Sequence, residues 1–311
     1  MLLWHDARTY QILFLALFLV IGLGTRDWTL QPGMIAVAIV TCVITQWVMV
    51  ANSSQQSAVS DQQSEEATFH PLSFILFPSF LSSLPSALVT SLGLSILVRA
   101  DHYSTMILAC VTAIGSKFLI RVRGKHIFNP GNFGIVAALM LTPDAWVSPG
   151  QWGEEGWYAL LFLSCGGLVL RRVGRWDTTV AFLGSYAVLE AIRNVLLGWT
   201  WDVWAHRLMS GSLLMFSLFM ITDPRTIPNA RTGRLLWAVA IALLTFFLRN
   251  YLFLSTAVFW ALFALAPLSI LIDAVFLGDR FIWSDRCLER AVEKERDAEG
   301  QELTALVTQN S

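Results

Sequence analysis

Ten predominantly apolar stretches dominate this chain, at about residues 8–24, 33–51, 83–99, 104–120, 131–145, 156–170, 178–198, 208–222, 235–248 and 252–275. A segment that crosses a bilayer needs roughly 17–25 apolar residues, fewer where protein lines one side. In hydrocarbon every backbone N–H and C=O must find its partner within the segment, so runs of this length predict helices. The expected fold class is therefore an all-α integral membrane protein with about ten transmembrane helices. Several runs are short, which suits a tight bundle containing tilted or broken helices. Composition agrees: 55% of the 311 residues are hydrophobic and only 14% are charged. Soluble domains carry about a quarter charged residues, so lipid must cover much of this surface.

Orientation follows from Lys and Arg. With the N-terminus inside, 16 of the 21 basic residues fall in cytoplasmic segments. They are Arg8, then Lys117 to Lys125, Arg171 to Arg175, Arg225 to Arg234, and the group from Arg280 to Arg296. Arg26, Arg99, Arg207 and Arg249 fall outside, and Arg193 lies within a span. Both termini are thus expected in the cytoplasm of a bacterium, with the chain a multi-pass protein of the inner (plasma) membrane. The run from Tyr10 to Gly24 follows Arg8 and lacks a small-x-small cleavage site, so it reads as a retained anchor. Residues 1–276 form the expected polytopic membrane domain, with a polar, acidic loop at 52–70 and a polar cytoplasmic tail at 277–311. Residues 71–82, rich in proline, fit either the start of a long third helix or a re-entrant piece. Trp28, Trp47, Trp146, Trp152, Trp199, Trp201 and Trp204 lie at or near span ends, where an indole buries its ring and keeps its N–H wet.

Several chemistries are excluded at this level. No concentrated basic face exists outside the short loops, so a nucleic-acid partner is not expected. Cys42, Cys110, Cys165 and Cys287 are scattered with no CxxC pair, which speaks against zinc or iron–sulfur ligation and against a disulfide framework. His5, His70, His102, His126 and His206 all lie in loops or at span edges, whereas a transmembrane haem needs facing ligands inside the bundle. Walker A, GxGxxG, HExxH and GxSxG patterns are missing.

Two loops stand out. In Ser116–Gly134, SKFLIRVRGKHIFNPGNFG, the cations Lys117, Arg121, Arg123 and Lys125 with His126 make a dense patch at the membrane surface. Asn129 and Asn132 then open the next span, where amide groups and free backbone N–H donors favour an anion or a carbonyl. Positive-inside anchoring explains the basic residues but not Asn-Pro-Gly-Asn between Phe128 and Phe133. The second loop, Ile221–Arg234, carries Asp223, Arg225 and Asn229, and emerges on the same side as the first. Taken alone it reads as a helix-stop turn with charged anchors; together the loops can form one site. Within the membrane, Glu190 and Arg193 lie three residues apart and can pair on one helix face, near enough to the span end to reach the interface. Asp273 marks the expected exit of the last span.

The run KHIFNPGNFG at Lys125–Gly134, the TDP turn at Thr222–Pro224 and Gly233-Arg234 leading into a span resemble the RnfD/NqrB family. This is the membrane component shared by ion-pumping NADH:quinone reductase and the related ferredoxin–NAD electron-transport complex. The wording of GSKFLIRVRGKHIFNPGNFGIV and WVSPGQWG is most similar to an UnbU-like branch found with enediyne biosynthesis genes. The resemblance, clearest over about residues 70–275, implies two five-helix units of inverted topology. It further implies electron transport with partner subunits, through bound flavin and quinone. The family's covalent FMN is carried by Thr of a Ser/Asp-Gly-Ala-Thr motif, which this chain lacks; Ser210-Gly211-Ser212 is its nearest approach. The expected cofactor is thus a non-covalent flavin, FMN or riboflavin. Its expected binders are Lys117, Arg121, Lys125, His126, Asn129 and Asn132, with Arg123, Asp223, Arg225 and Asn229 completing the site. The alternatives are a transporter or channel for a small solute or biosynthetic product, and a cofactor-free scaffold subunit.

Overall fold

The computed structural model describes residues 7–25, 29–60, 78–148 and 156–281. The acidic part of the polar loop at 61–70, the segment 71–77, part of the WVSPGQWG run, Trp28 and the tail beyond 281 lie outside the described residues.

Each of the ten apolar stretches contains helix. The first half comprises α1 (Ala7–Thr25), α2 (Pro32–Ser60), α3 (Pro78–Leu97), α4 (Tyr103–Leu119) and α5 (Pro130–Leu141). The second comprises α6 (Gly156–Val173), α7 (Trp176–Leu196), a short α8 (Trp201–Leu208), α9 (Gly211–Met215), α10 (Arg231–Asn250), α11 (Ala257–Leu265) and α12 (Leu268–Val275). Among the described residues, five helices are long and apolar enough to cross a membrane alone. The pair α11 and α12, bent by 48°, can serve as a sixth span. Helix α2 runs on to Ser60, so the first part of the expected polar loop is helical.

The packing repeats from one half to the other. In the first, α1 and α2 pack on α3, α2 on α4, and α4 on α5. In the second, α6 and α7 pack on α9 and its continuation, α7 on α10, and α10 on α11. Contacts between the halves join equivalent members, α1 with α6 and α5 with α11. Without a hydrophobic drive between helices in lipid, close approach and dispersion must hold such a bundle. Gly134 of α5 shows how: a Cβ there would strike the Ala109 carbonyl oxygen and lie 2.8 Å from the Ala113 Cβ of α4. Phe18 of α1 stacks on Phe162 of α6 with ring centroids 4.2 Å apart, joining the halves.

Local chemistry sets the elements that carry the two loops. Asn129 caps α5 by accepting from the Asn132 backbone N–H at 3.0 Å, and Pro130 opens the helix where its missing N–H costs nothing. Between α4 and α5 the chain makes a small antiparallel hairpin, β2 (Arg121–Val122) with β3 (Lys125–His126), numbered after β1 (Val98–Arg99). Its turn needs positive φ at Arg123 (49°) and Gly124 (75°), the geometry that suits a two-residue hairpin. β1 pairs with β4 (Trp146–Val147) at the opposite end of α3. After α9 the helix widens into a π turn, Phe216–Met220, and then breaks at the TDP turn.

Of the two possibilities for Glu190 and Arg193, pairing with each other is not what forms. Glu190 is 2% exposed and bonds Arg207 of α8 at 2.9 Å, with Tyr186 O–H (2.9 Å) and Asn250 Nδ2 (2.8 Å) donating to its other oxygen. Arg193 instead lies over the Trp199 ring, 4.6 Å from its centroid. Arg207 reaches Glu190 from another helix, while Arg193 is taken up by the indole.

Candidate functional site: a cation-rimmed cavity

A cavity of about 430 Å³ opens where the two loops meet the bundle, within the roughly 300–1,000 Å³ usual for small-molecule sites. Six of the residues expected from sequence line it: Lys117, Arg121, His126, Asn129, Asp223 and Arg225. The 91-residue separation of Asn129 and Met220 is closed by a bond from Asn129 Nδ2 to the Met220 carbonyl at 3.2 Å. The same amide reaches Asp223 Oδ2 at 3.4 Å. Lys117 Nζ donates to the Ser86 carbonyl (3.2 Å) and hydroxyl (3.1 Å). Arg121 Nε donates to the Lys117 carbonyl, and its guanidinium lies 5.0 Å from the Phe118 ring centroid.

The other four expected residues face elsewhere. Lys125 Nζ forms an ion pair with Asp273 at 2.5 Å and donates to the Ile227 carbonyl at 2.7 Å. Asn229 bonds the same carboxylate through its backbone N–H (2.7 Å) and Nδ2 (3.0 Å). Lys125 and Asn229 line a second, outer cavity of about 360 Å³ that adjoins the first along Pro224 and Arg225. Asn132 is buried and donates to the Phe259 carbonyl at 3.1 Å, tying α5 to α11. Arg123 is exposed, and its carbonyl accepts from Arg280 at 2.6 Å. Phe128 stacks on Phe263 (4.9 Å), so these rings pack the α5–α11 contact.

Electrostatics shape the group. Burial pushes the His126 imidazole down to about 3, and the nearby Arg225, Arg121 and Lys117 add to the effect, so the ring stays neutral. One ring nitrogen bonds the Lys117 backbone, while Nδ1 has no partner among the described residues. Burial raises the Asp223 carboxyl, and the Arg225 backbone N–H and charge, Lys117 and Asn129 oppose the shift. Burial lowers Lys125, with Asp273 opposing.

Sequence reasoning missed the far wall. Gln46 of α2 is 3% exposed, lines the cavity, and leaves Oε1 without a partner among the described residues. On α3, Ser82, Ser86, Thr90 and Gly93 line it from successive turns. Their spacing of three to four residues in an otherwise apolar helix was the available signal. The apolar remainder includes Leu15, Leu97, Met215 and Leu218.

A heteroaromatic ring with a polar tail fits this donor set. His126 Nδ1 and Gln46 Oε1 are buried acceptors with no partner among the described residues, and an unsatisfied buried polar atom costs about 1–3 kcal/mol, so an N–H donor on a ligand would be favoured there. Hydroxyls on α3 suit a polyol, and the cationic rim suits negative charge. Among the described residues no group of three His, Cys, Asp or Glu could hold a metal. The residues fit a non-covalent flavin.

Fold and cavity together define a helical membrane protein with a cation-rimmed small-molecule site at one end of its bundle. Residues 145–281 match the NQR2, RnfD, RnfE family. Two curated relatives are the D subunits of ion-translocating oxidoreductase complexes. That of Stutzerimonas stutzeri is 33% identical over 125 residues, 40% of this chain and 35% of the relative. That of Erwinia tasmaniensis is 33% identical over 160 residues, 51% of this chain and 38% of the relative. The resemblance read from the sequence to the RnfD/NqrB family is thus confirmed over the second half of the bundle. This chain spans about a third of the length of the curated relatives it matches.

Proposed function

We propose that the chain is a multi-pass subunit of a membrane electron-transport complex and holds a non-covalent flavin in the cavity between its two cytoplasmic loops. The observation that carries this reading is the convergence on one cavity of six residues expected from the sequence, among them His126 with its Nδ1 unpartnered among the described residues, together with the buried Gln46 Oε1. The similarity to the D subunits of ion-translocating oxidoreductase complexes supports redox partner subunits, and a quinone acceptor is the expectation that the family resemblance in the sequence adds. The packing shared by the two halves supports ten spans arranged as two five-helix repeats. The charge asymmetry supports cytoplasmic termini in a bacterial inner membrane.

A flavin would supply one- and two-electron transfer at this site. The protein's own part is to orient and to insulate. His126 and Gln46 offer acceptors to ring N–H groups, Asn129 is fixed by Met220 and Asp223, and Lys117 and Arg121 hold positive charge beside the site. Leu15, Met215 and Leu218 exclude water from the inner part.

The test is flavin content per chain in Gln46→Leu and Arg121→Gln variants, purified beside the wild type. Each is expected to lose at least half its flavin while melting within a few degrees of wild type. Full flavin content in both variants would refute the assignment of this cavity.

A further inference from the structure

We infer that Cys42 and Cys110 are a redox-active pair, a modification site at which an organic hydroperoxide arriving from the lipid converts two thiols into a disulfide between α2 and α4. The inference needs no ligand in the cavity and does not rest on the flavin reading.

The two cysteines stand 68 positions apart and share no motif. Packing brings them together. Helix α2 packs on α4, and the two run in the same direction. Gly33, at the start of α2, lies against Tyr103, at the start of α4, where a Cβ would come 2.7 Å from the phenol oxygen. Cys42 follows Gly33 by nine residues and Cys110 follows Tyr103 by seven, about 13 and 10 Å along the axes. Tyr103, Cys110 and Lys117 recur every seventh residue and so share one face of α4. Cys42 and Gln46, four apart, share one face of α2. The contact is direct: the Cys110 thiol shares a hydrogen bond with Cys42, and Lys117 lies within electrostatic reach of the same cysteine. Both cysteines are 0% exposed, and both are free thiols. Sulfurs in such contact need only a short approach to reach the roughly 2 Å of a disulfide bond.

The pair sits just behind the lipid-facing surface. Ile44, Ile107 and Val111, each within three residues of one of the cysteines, are exposed apolar side chains, the surface that lipid covers. Burial slows attack on a thiol and favours an oxidant that dissolves in hydrocarbon. That oxidant must also be narrow enough to pass between packed helices and must take two electrons without a metal. An organic hydroperoxide meets all three demands. One sulfur attacks the O–O bond, releasing the alcohol and leaving a sulfenic acid; the second thiol then displaces the hydroxyl as water. Two S–H bonds and one O–O bond break, and one S–S bond, one alcohol and one water form. The sulfurs lose the two electrons that the peroxide gains. Closing the bridge pins α2 to α4, the helices that bring Gln46 and Lys117 to the cavity, so oxidation fixes the spacing of those two walls.

The test takes the full chain in detergent, reduced with a phosphine, desalted, and treated with cumene hydroperoxide. Thiols are alkylated after denaturation and counted by mass. The reduced chain carries four cysteines; treatment is expected to leave two alkylated, with the Cys42 and Cys110 peptides joined and the apparent Tm raised. Hydrogen peroxide at the same concentration should act several-fold more slowly, since it partitions into water. Cys42→Ala should keep all of its thiols under the same treatment; if that variant does not fold, the joined peptides of the wild type decide alone. A wild type that keeps four alkylated cysteines, or loses thiols at Cys165 or Cys287 instead, would overturn the inference. Hydrogen peroxide acting as fast as cumene hydroperoxide would overturn the route from lipid, and with it the class of oxidant.

Discussion

The ion pair between Lys125 and Asp273 should act as the clamp of the bundle end that carries the two loops, and Asp273→Ala should open it. Three donors converge on this carboxylate: Lys125 Nζ, the Asn229 backbone N–H and Asn229 Nδ2. They fasten the β2–β3 hairpin and the loop after the TDP turn to α12, across 148 residues of chain. Removing the carboxylate leaves Lys125, which is 8% exposed, with the Ile227 carbonyl as its remaining hydrogen-bond partner among the described residues. Breaking a buried pair from one side costs about 3–5 kcal/mol. Because the Asp273 side chain is 16% exposed, water screens part of the charge, and the lower end, about 3 kcal/mol, is the better figure. At about 2 °C per kcal/mol for a chain of this size, the apparent Tm should fall by about 6 °C. The assay is tryptophan fluorescence melting in one detergent at one scan rate, since such unfolding is commonly irreversible. The double variant Asp273→Ala/Lys125→Met carries no stranded charge and should regain half or more of the loss. A single variant within about 1 °C of wild type, or a double variant no better than the single, would refute the clamp.

At the opposite end of α7, Glu190→Ala should destabilise more than Glu190→Gln, because Gln keeps an oxygen for Tyr186 and Asn250; equal apparent Tm values would contradict the network. Gly134→Ala should cost about 1–3 kcal/mol by forcing α5 off α4, whereas Gly184→Ala, with nothing within 4 Å of the new Cβ, should be neutral or stabilising. The pair of melts checks both signs. His126 gives a pH signature. Its folded pKa, about 3, lies below the ordinary 6.5, so above pH 6.5 it contributes no pH dependence. As pH falls from 6.5 toward 3 the unfolded chain binds a proton that the folded chain refuses, and stability declines. By pH 5.5 the loss is about 1.4 kcal/mol. His126→Gln should flatten that part of the apparent Tm profile between pH 7 and 5, and a profile as steep as wild type would be evidence against a buried neutral ring.

The helices were legible because lipid forces every apolar run to satisfy its own backbone. The expected stretch 104–120 overlies α4 almost end to end, and 83–99 covers all of α3 but its first five residues. Asn129 was equally readable as a cap, since Asn-Pro-Gly-Asn combines a side-chain acceptor with a proline that needs no donor. What escaped depends on contacts distant in sequence. The β2–β3 hairpin is too short for a periodic signal. The π turn after α9 has no marker in Phe216–Met220, all of whose residues are buried. Helical spacing offers Glu190 a partner on its own helix or a reach to the interface, whereas Arg207 arrives from α8. Around the cavity, the cations announced themselves as polar residues beside apolar runs. Gln46 and the hydroxyl stripe of α3 did not, because a lone amide or serine in a span is usually satisfied by its own helix.

The most direct measurement is the visible absorption spectrum of the detergent-purified protein, repeated on the supernatant after acid precipitation. Flavin bands that pass into the supernatant are the expected result and mean a ligand held without a covalent bond. A yellow pellet would contradict the non-covalent assignment. Colourless fractions, from cells supplied with riboflavin, would contradict the flavin site altogether and leave transport or scaffolding to explain the cavity.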